Sequence, residues 1–166
     1  NDITLLKVNI LDMKEKNIVF NTHNNLCIRD GSTIMMSNVM NHLMKNKNKV
    51  TLLTTTKTNK DLFTRDLESN LYTIIVKNNN NEIIRELDTL SKTHDHIFIR
   101  NAPLLTQIKN KPWLTKTTLY CIGKDLENIK NLNGQYNAII TQSEILKQKY
   151  VDEGVNKEKI MIKVPI

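Results

Sequence analysis

Seven short apolar runs punctuate this chain, at 18–20, 50–54, 71–76, 97–99, 117–122, 136–141 and 160–164, and stretches with apolar residues three and four positions apart lie between most of them. That alternation is what most restricts the fold. Short apolar runs read as strands and the 3.6-periodic stretches as helices, and their regular succession predicts a parallel sheet with helices on both faces. The run Ile18-Val19-Phe20 is uncharged, as befits a central strand covered on both sides. Residues 17–54 then read as one βαβ unit. Its helix carries Met36, Val39, Met40 and Leu43 on one face, with Met35 and Met44 beside them, and closes in the basic stretch 45–49. A methionine stripe of this kind is core filling rather than a cofactor box.

Further helices are expected at 61–67, 82–90, 102–108, 125–132 and 143–153, the last stopped by Gly154. Four asparagines at 78–81 read as a turn, and Pro112 ends the stretch before the fifth strand. Residues 1–16 form an N-terminal extension of uncertain structure, and 17–166 one Rossmann-like domain. In such sheets ligands sit at the carboxyl ends of the strands, where the strand order reverses. The loops that matter are therefore 21–32, 100–103, 123–125 and 141–143.

The chain has 166 residues, enough for one domain with a real core, and only 5% of them are aromatic, so that core must be aliphatic. The formal net charge of +7 is spread thinly, from Lys45, Lys47 and Lys49 to Lys147 and Lys149. Solvated lysines at helix ends and loops are the favoured reading, with no nucleic acid expected. The alternative is a surface that meets an anionic membrane, a polyanion or a phosphorylated substrate. Two cysteines, Cys27 and Cys121, suit a reducing compartment. No signal peptide or bilayer-spanning run is visible. A cytoplasmic protein is expected, with peripheral membrane contact as the variant. The chain opens on Asn1 rather than Met, as an ordered piece of something longer would.

Several segments together resemble a known family. Ile28-Arg29-Asp30-Gly31-Ser32-Thr33, an amphipathic helix and Lys49-Val50-Thr51-Leu52-Leu53 resemble the N-terminal half of retaining, family 4 type glycosyltransferases with the GT-B fold. Ala138-Ile139-Ile140-Thr141-Gln142-Ser143-Glu144, a helix, Glu153-Gly154-Val155 and Glu158-Lys159-Ile160-Met161-Ile162 look like the segment where that family's N-terminal domain hands over to the C-terminal one. The resemblance implies an acceptor-side domain whose nucleotide-sugar domain is absent from this chain. It implies transfer from a nucleotide sugar, as co-substrate and with no other cofactor, to a glycan, polymer or lipid-linked acceptor. Two departures stand out. Asp30-Gly31 replaces the frequent Gly-Gly, and Cys121-Ile122-Gly123-Lys124-Asp125 stands where many members place a histidine near the donor sugar. The second reading is accordingly a non-catalytic half that binds a partner protein or carbohydrate. A dinucleotide enzyme is disfavoured, since only Gly31 stands where G-x-G-x-x-G is needed.

The candidate donor-phosphate or acceptor-binding residues are Asp30, Gly31, Ser32, Arg100, Asn101, Gly123, Lys124, Asp125 and Ser143, with His23, Arg29 and Trp113 weaker. Gly31 and Ser32 would offer backbone N–H groups at a helix N-terminus, and Asp30 or Ser32 would equally serve as its cap. Arg100, directly after an apolar strand, could hold a phosphate or carboxylate with two parallel hydrogen bonds; a surface ion pair is the plain alternative. His23 is an acid–base or hydroxyl-binding candidate, against simple exposure. Trp113 and Tyr120 could stack on a sugar, although core packing suits Tyr120 better. His94 and His96 bracket Asp95 at the start of a strand, the wrong end of the sheet, with no third ligand evident, so no metal is expected.

Overall fold

The computed structural model describes residues 8–23, 31–55, 66–121 and 125–162. Among them are seven strands: β1 (Asn17–Thr22), β2 (Lys49–Thr54), β3 (Tyr72–Val76), β4 (His96–Arg100), β5 (Thr117–Tyr120), β6 (Ala138–Thr141) and β7 (Ile160–Ile162). All pair in parallel in one sheet of order β3-β2-β1-β4-β5-β6-β7. The helices are α1 (Gly31–Lys45), α2 (Asn80–Leu90), α3 (Leu126–Asn131) and α4 (Glu144–Asp152), joined by short 3-10 segments. The Rossmann-like α/β class expected from the alternation is what the chain adopts.

Side chains alternate across the sheet, and each set has its own cover. Val19, Leu53, Ile97, Ile99, Leu119 and Ile139 pack against Ile83 and Leu87 of α2, Ile129 of α3 and Tyr150 of α4. Ile18, Phe20, Val50, Leu52, Phe98 and Ile140 pack against Met36, Val39, Met40 and Leu43 of α1 and against Ile10. Phe20 and Phe98, neighbours in the register, stack with ring centroids 4.3 Å apart at the centre of that second face. The methionine stripe of α1 is thus core, as its spacing suggested.

Residues 8–13 lie against the α1 face. Ile10–Asp12 is a 3-10 turn capped by Asn9, and Ile10 is fully buried. The Asn137 side chain accepts from the Val8 N–H at 2.9 Å and donates to the Val8 carbonyl at 2.7 Å. His42 Nε2 meets the Leu11 carbonyl at 2.7 Å. The expectations for residues 1–7 and for most of the helix at 61–67 lie outside the described residues.

Three local expectations need correction. The four asparagines are not a turn: Asn79 caps α2 by accepting from the Glu82 N–H, Glu82 accepts from the Asn78 N–H in return, and the helix runs from Asn80. With Asn79 as cap and Glu82 reaching back to the residue before it, Asn79-x-x-Glu82 is a helix start in a variant of the capping box. Ala102–Thr106 is 3-10 rather than α, with Pro103 in its first turn. Pro112 opens the 3-10 turn Pro112–Lys116 rather than merely ending a segment. At the other helix ends the reading holds: Ser143 caps α4 by accepting from the Leu146 N–H, and Gly154 follows it with φ of 99°.

His94 and His96 both do structural work. His94 Nδ1 lies 2.9 Å from the Leu90 carbonyl, closing the end of α2. His96 is buried in the sheet, its Nε2 2.7 Å from Thr118 Oγ1. Burial, with the Lys116 ammonium adding to it, pushes His96 down to about 4. The unfolded chain therefore takes up this proton at higher pH than the folded one. The stability that neutral His96 brings is fully present above the ordinary histidine pKa, and is lost as pH falls from about 6.5 through 4. A shift of this size corresponds to at most about 3 kcal/mol. We expect urea midpoints to fall over that window, and His96→Gln, which keeps a hydrogen-bonding group without a titrating one, to flatten that decline.

Candidate functional site

Two connections leave the middle of the sheet in opposite directions. β1 leads to β2 on one side, while β4, its other neighbour, leads on to β5. The strand order reverses between β1 and β4, and the carboxyl ends of strands at such a reversal are where open α/β sheets bind ligands. Here these ends are polar. Asn21 and Thr22 end β1, Thr54 ends β2, Arg100 ends β4 with Asn101 behind it, and all but Arg100 are buried. In a sheet this apolar, buried polar side chains clustered at one end need a reason.

On one side of the sheet they bind each other. Asn21 Nδ2 donates to the Leu53 carbonyl at 2.9 Å, which fixes the orientation of its amide. Its Oδ1 then accepts from Asn101 Nδ2 at 3.2 Å, and the same Nδ2 donates to Asn80 Oδ1 at 3.1 Å, at the N-terminus of α2. Asn101 is thereby oriented too, and its Oδ1, buried, has no partner. An amide acceptor left in this way costs about 1–3 kcal/mol unless a water or ligand supplies a donor.

On the α1 side Arg100 dominates. Tyr120 ends the neighbouring strand β5, buried, and the guanidinium carbon stands 5.5 Å from the centre of its ring. The Tyr120 hydroxyl accepts from Gln142 Nε2 at 2.9 Å. Arg100 Nε is buried without a hydrogen-bond partner. Behind the ledge sits Cys121, fully buried; burial pushes its thiol well up, Asp125 adds to the effect and Arg100 opposes it. Cys121 is therefore a packed thiol and not a nucleophile.

The sequence candidates sort clearly against this frame. Arg100 and Asn101 stand at the reversal. His23 is exposed beside them, its Nδ1 3.3 Å from the Arg100 carbonyl. Since a carbonyl only accepts, Nδ1 carries the proton. Asp125 is buried just ahead of α3. Gly31 and Ser32 form the first turn of α1, so Ser32 is not its cap. Ser143 stands at the carboxyl end of β6, its hydroxyl used in capping α4. Trp113 does not belong to the site. It precedes β5, at the amino ends of the strands, and is buried with its indole N–H donating to Asp88 at 2.8 Å. Arg29, Asp30, Gly123, Lys124 and Cys27 lie outside the described residues.

Sequence reasoning missed Asn80, and it placed Asn21 and Gln142 in the loops that matter without picking them out as site residues. For Asn21 a signal was present: a polar residue closing an apolar run has no core to fill and marks a strand's functional end. No His, Cys, Asp and Glu cluster able to hold a metal occurs among the described residues. Nor is any helix among them long and apolar enough to cross a membrane.

No family model matches the sequence, and no curated protein matches it. Solved structures do share the fold. HepE (Alr3699) of Anabaena, solved with UDP and glucose, matches at a TM-score of 0.63 and 9% identity, over 89% of this chain and 43% of that one. The same protein solved with UDP-glucose gives equal values. A Listeria monocytogenes protein, provisionally named a UDP-N-acetylglucosamine 2-epimerase, matches at 0.59 and 10% identity, over 89% of this chain and 45% of that one. The chain thus spans less than half the length of these structures. At such identities the likeness is one of fold: the Rossmann-like sheet matches that of GT-B proteins.

If the amide chain holds these strand ends, Asn21→Ala and Asn101→Ala should each lower stability by about 1–3 kcal/mol in urea unfolding. The double variant should fall short of the sum by about 0.5 kcal/mol or more, the coupling expected of residues in one network. Strict additivity would mean that the two amides do not act together.

Proposed function

We propose that this chain is the acceptor-side half of a GT-B glycosyltransferase that uses a nucleotide sugar. The observation that carries the proposal is the cluster of buried polar side chains at the β1–β4 reversal, in a fold shared with a protein solved with UDP-glucose. A second Rossmann-like domain would close over this end of the sheet and hold most of the nucleotide. The N-terminal end of α1 would face the diphosphate across the cleft, where the helix dipole favours an anion. Arg100, Asn101 and Asp125 would line the acceptor side, with His23 at the rim.

In the reaction the bond from the anomeric carbon to the diphosphate oxygen breaks, and its electron pair leaves with the nucleotide. The acceptor's hydroxyl oxygen bonds to that carbon, and its proton passes to the departing diphosphate. The transition state resembles an oxocarbenium ion, so the largest contribution expected of the protein is electrostatic stabilisation of the leaving group. No resident cofactor is invoked, and the histidine seen in many family members has no counterpart in this scheme. Neither a membrane nor a nucleic acid is needed, although the basic surface would suit a lipid-linked acceptor.

The test has two arms. The full-length protein that carries this chain should release UDP from UDP-glucose, or from another UDP sugar, faster when sugar acceptors are added. The 166-residue chain alone should bind UDP-glucose only weakly in an NMR titration. Absence of turnover with every nucleotide sugar tried would sink the transferase reading in favour of a non-catalytic half. Tight binding of UDP-glucose to the chain alone would overturn the acceptor-side assignment.

A further inference from the structure

Resting on that reading, we infer that the acceptor carries a negative charge: it is a carboxylated or phosphorylated sugar, and Arg100 is the residue that reads the charge. Arg100 ends β4 at the carboxyl rim of the sheet, partly buried, where a cation without a counter-charge is costly. Among the described residues no carboxylate pairs with its guanidinium, and Nε is buried without any partner. Several other half-buried cations are paired. Lys111 pairs with Asp88 at 2.9 Å, Lys77 with Glu86 at 3.2 Å, and Lys116 is bound by two carbonyls at 2.6 Å.

The guanidinium is also held. It lies over the Tyr120 ring, and Gln142 fixes the Tyr120 hydroxyl in turn, so three neighbouring strands contribute to one ledge. A guanidinium stacked on an aromatic face keeps its edge free, and that edge matches a carboxylate or phosphate with two parallel hydrogen bonds. Nε is one of the two donors on such an edge, and Nε is the atom left unsatisfied here. Asn101 Oδ1, turned toward the α2 side of the same strand end, is a second buried atom with no hydrogen-bond partner among the described residues. The Arg100 edge by itself is complementary to the anionic group of an acidic or phosphorylated sugar.

The experiment titrates the chain with glucuronate, glucose 6-phosphate, glucose and UDP, following amide shifts by NMR. Both anionic sugars should bind about 10-fold or more tightly than glucose, the advantage typical of a charge-assisted pair. Arg100→Gln should abolish the difference. Arg100→Lys should keep only part of it, since the charge survives without the fork. Thermal unfolding of both variants is measured alongside, and the lysine variant keeps the test open should the glutamine variant fail to fold. Equal affinity for glucose and the anionic sugars, or a preference unchanged in both variants, overturns the inference. So does Arg100-dependent binding of UDP without binding of either anionic sugar, which would assign Arg100 to the donor. UDP-sugar turnover by the full-length protein with neutral acceptors alone would sink this inference while leaving the transferase reading intact. Selective anion binding without any turnover would do the reverse.

Discussion

The contact between β1 and β4 is the constraint on which the rest of this structure depends. Parallel neighbours need crossover connections, and these are right-handed almost without exception. From β1 the chain moves outward through β2 to β3, so α1 falls on one face. It then returns to the far side of β1 as β4 and moves outward the other way, which puts α2, α3 and α4 on the opposite face. The Phe20–Phe98 stack secures this junction in the α1 core. The price of the arrangement is that the connections from β4 to β7 leave the α1 face of those strands without helices of their own. Residues 8–13 supply part of the missing cover, held by the Asn137 amide and seated by Ile10. What reads in sequence as an appendage is thus part of the core.

The same reversal creates the site. Helices diverge from the carboxyl ends of β1 and β4, and no side chain can fill the gap between them from a single element. Among the described residues, amides, hydroxyls and the Arg100 guanidinium stand at these strand ends. Asn21, Asn101 and Asn80 come from β1, the end of β4 and α2, and their hydrogen bonds tie three elements at the rim. The two atoms left unsatisfied, Arg100 Nε and Asn101 Oδ1, belong to adjacent residues. At the amino ends of the strands the polar groups are paired: Lys116 with the carbonyls of Ser91 and His94, Trp113 and Lys111 with Asp88, His96 with Thr118. Among the described residues the two rims thus differ in how fully their buried polar groups are satisfied.

Most of the fold was legible in the sequence because its signals are local. Seven apolar runs became seven strands, the Met36–Leu43 face went to the core, and Ser143 and Gly154 bound α4. Where local reading failed, competing local chemistry was the cause. Four consecutive asparagines suit a turn, but Asn79 caps the Glu82 N–H while the Glu82 carboxylate holds Asn78, and the helix start prevails. Trp113 looked like a loop aromatic free to stack on a sugar. Its position before β5 puts it at the other end of the sheet, where Asp88, 25 residues away in sequence, takes its N–H. The site was half legible. Arg100 followed from a charge at the end of an apolar strand. The partner that shapes it, Tyr120, and the amide chain from Asn21 to Asn101 join residues 20 to 80 positions apart in sequence, and no periodicity encodes such pairs.

The placement of Arg100 also bears on why an arginine, and not a lysine, suits this rim in a chain whose positive charge is mostly lysine. A lysine ammonium is a compact, strongly hydrated charge, and it does well at helix ends where water remains. Over the Tyr120 ring, with one edge buried, it would lose hydration and gain no planar contact. A guanidinium is more weakly hydrated, lies flat on an aromatic face and presents donors in a fixed plane. Its neighbour Cys121 is packed and fully buried. The ledge therefore offers a preset donor edge and no evident nucleophile of its own. Such an edge is suited to orienting an anionic group, and it would be so equally in an enzyme half or in a binding module.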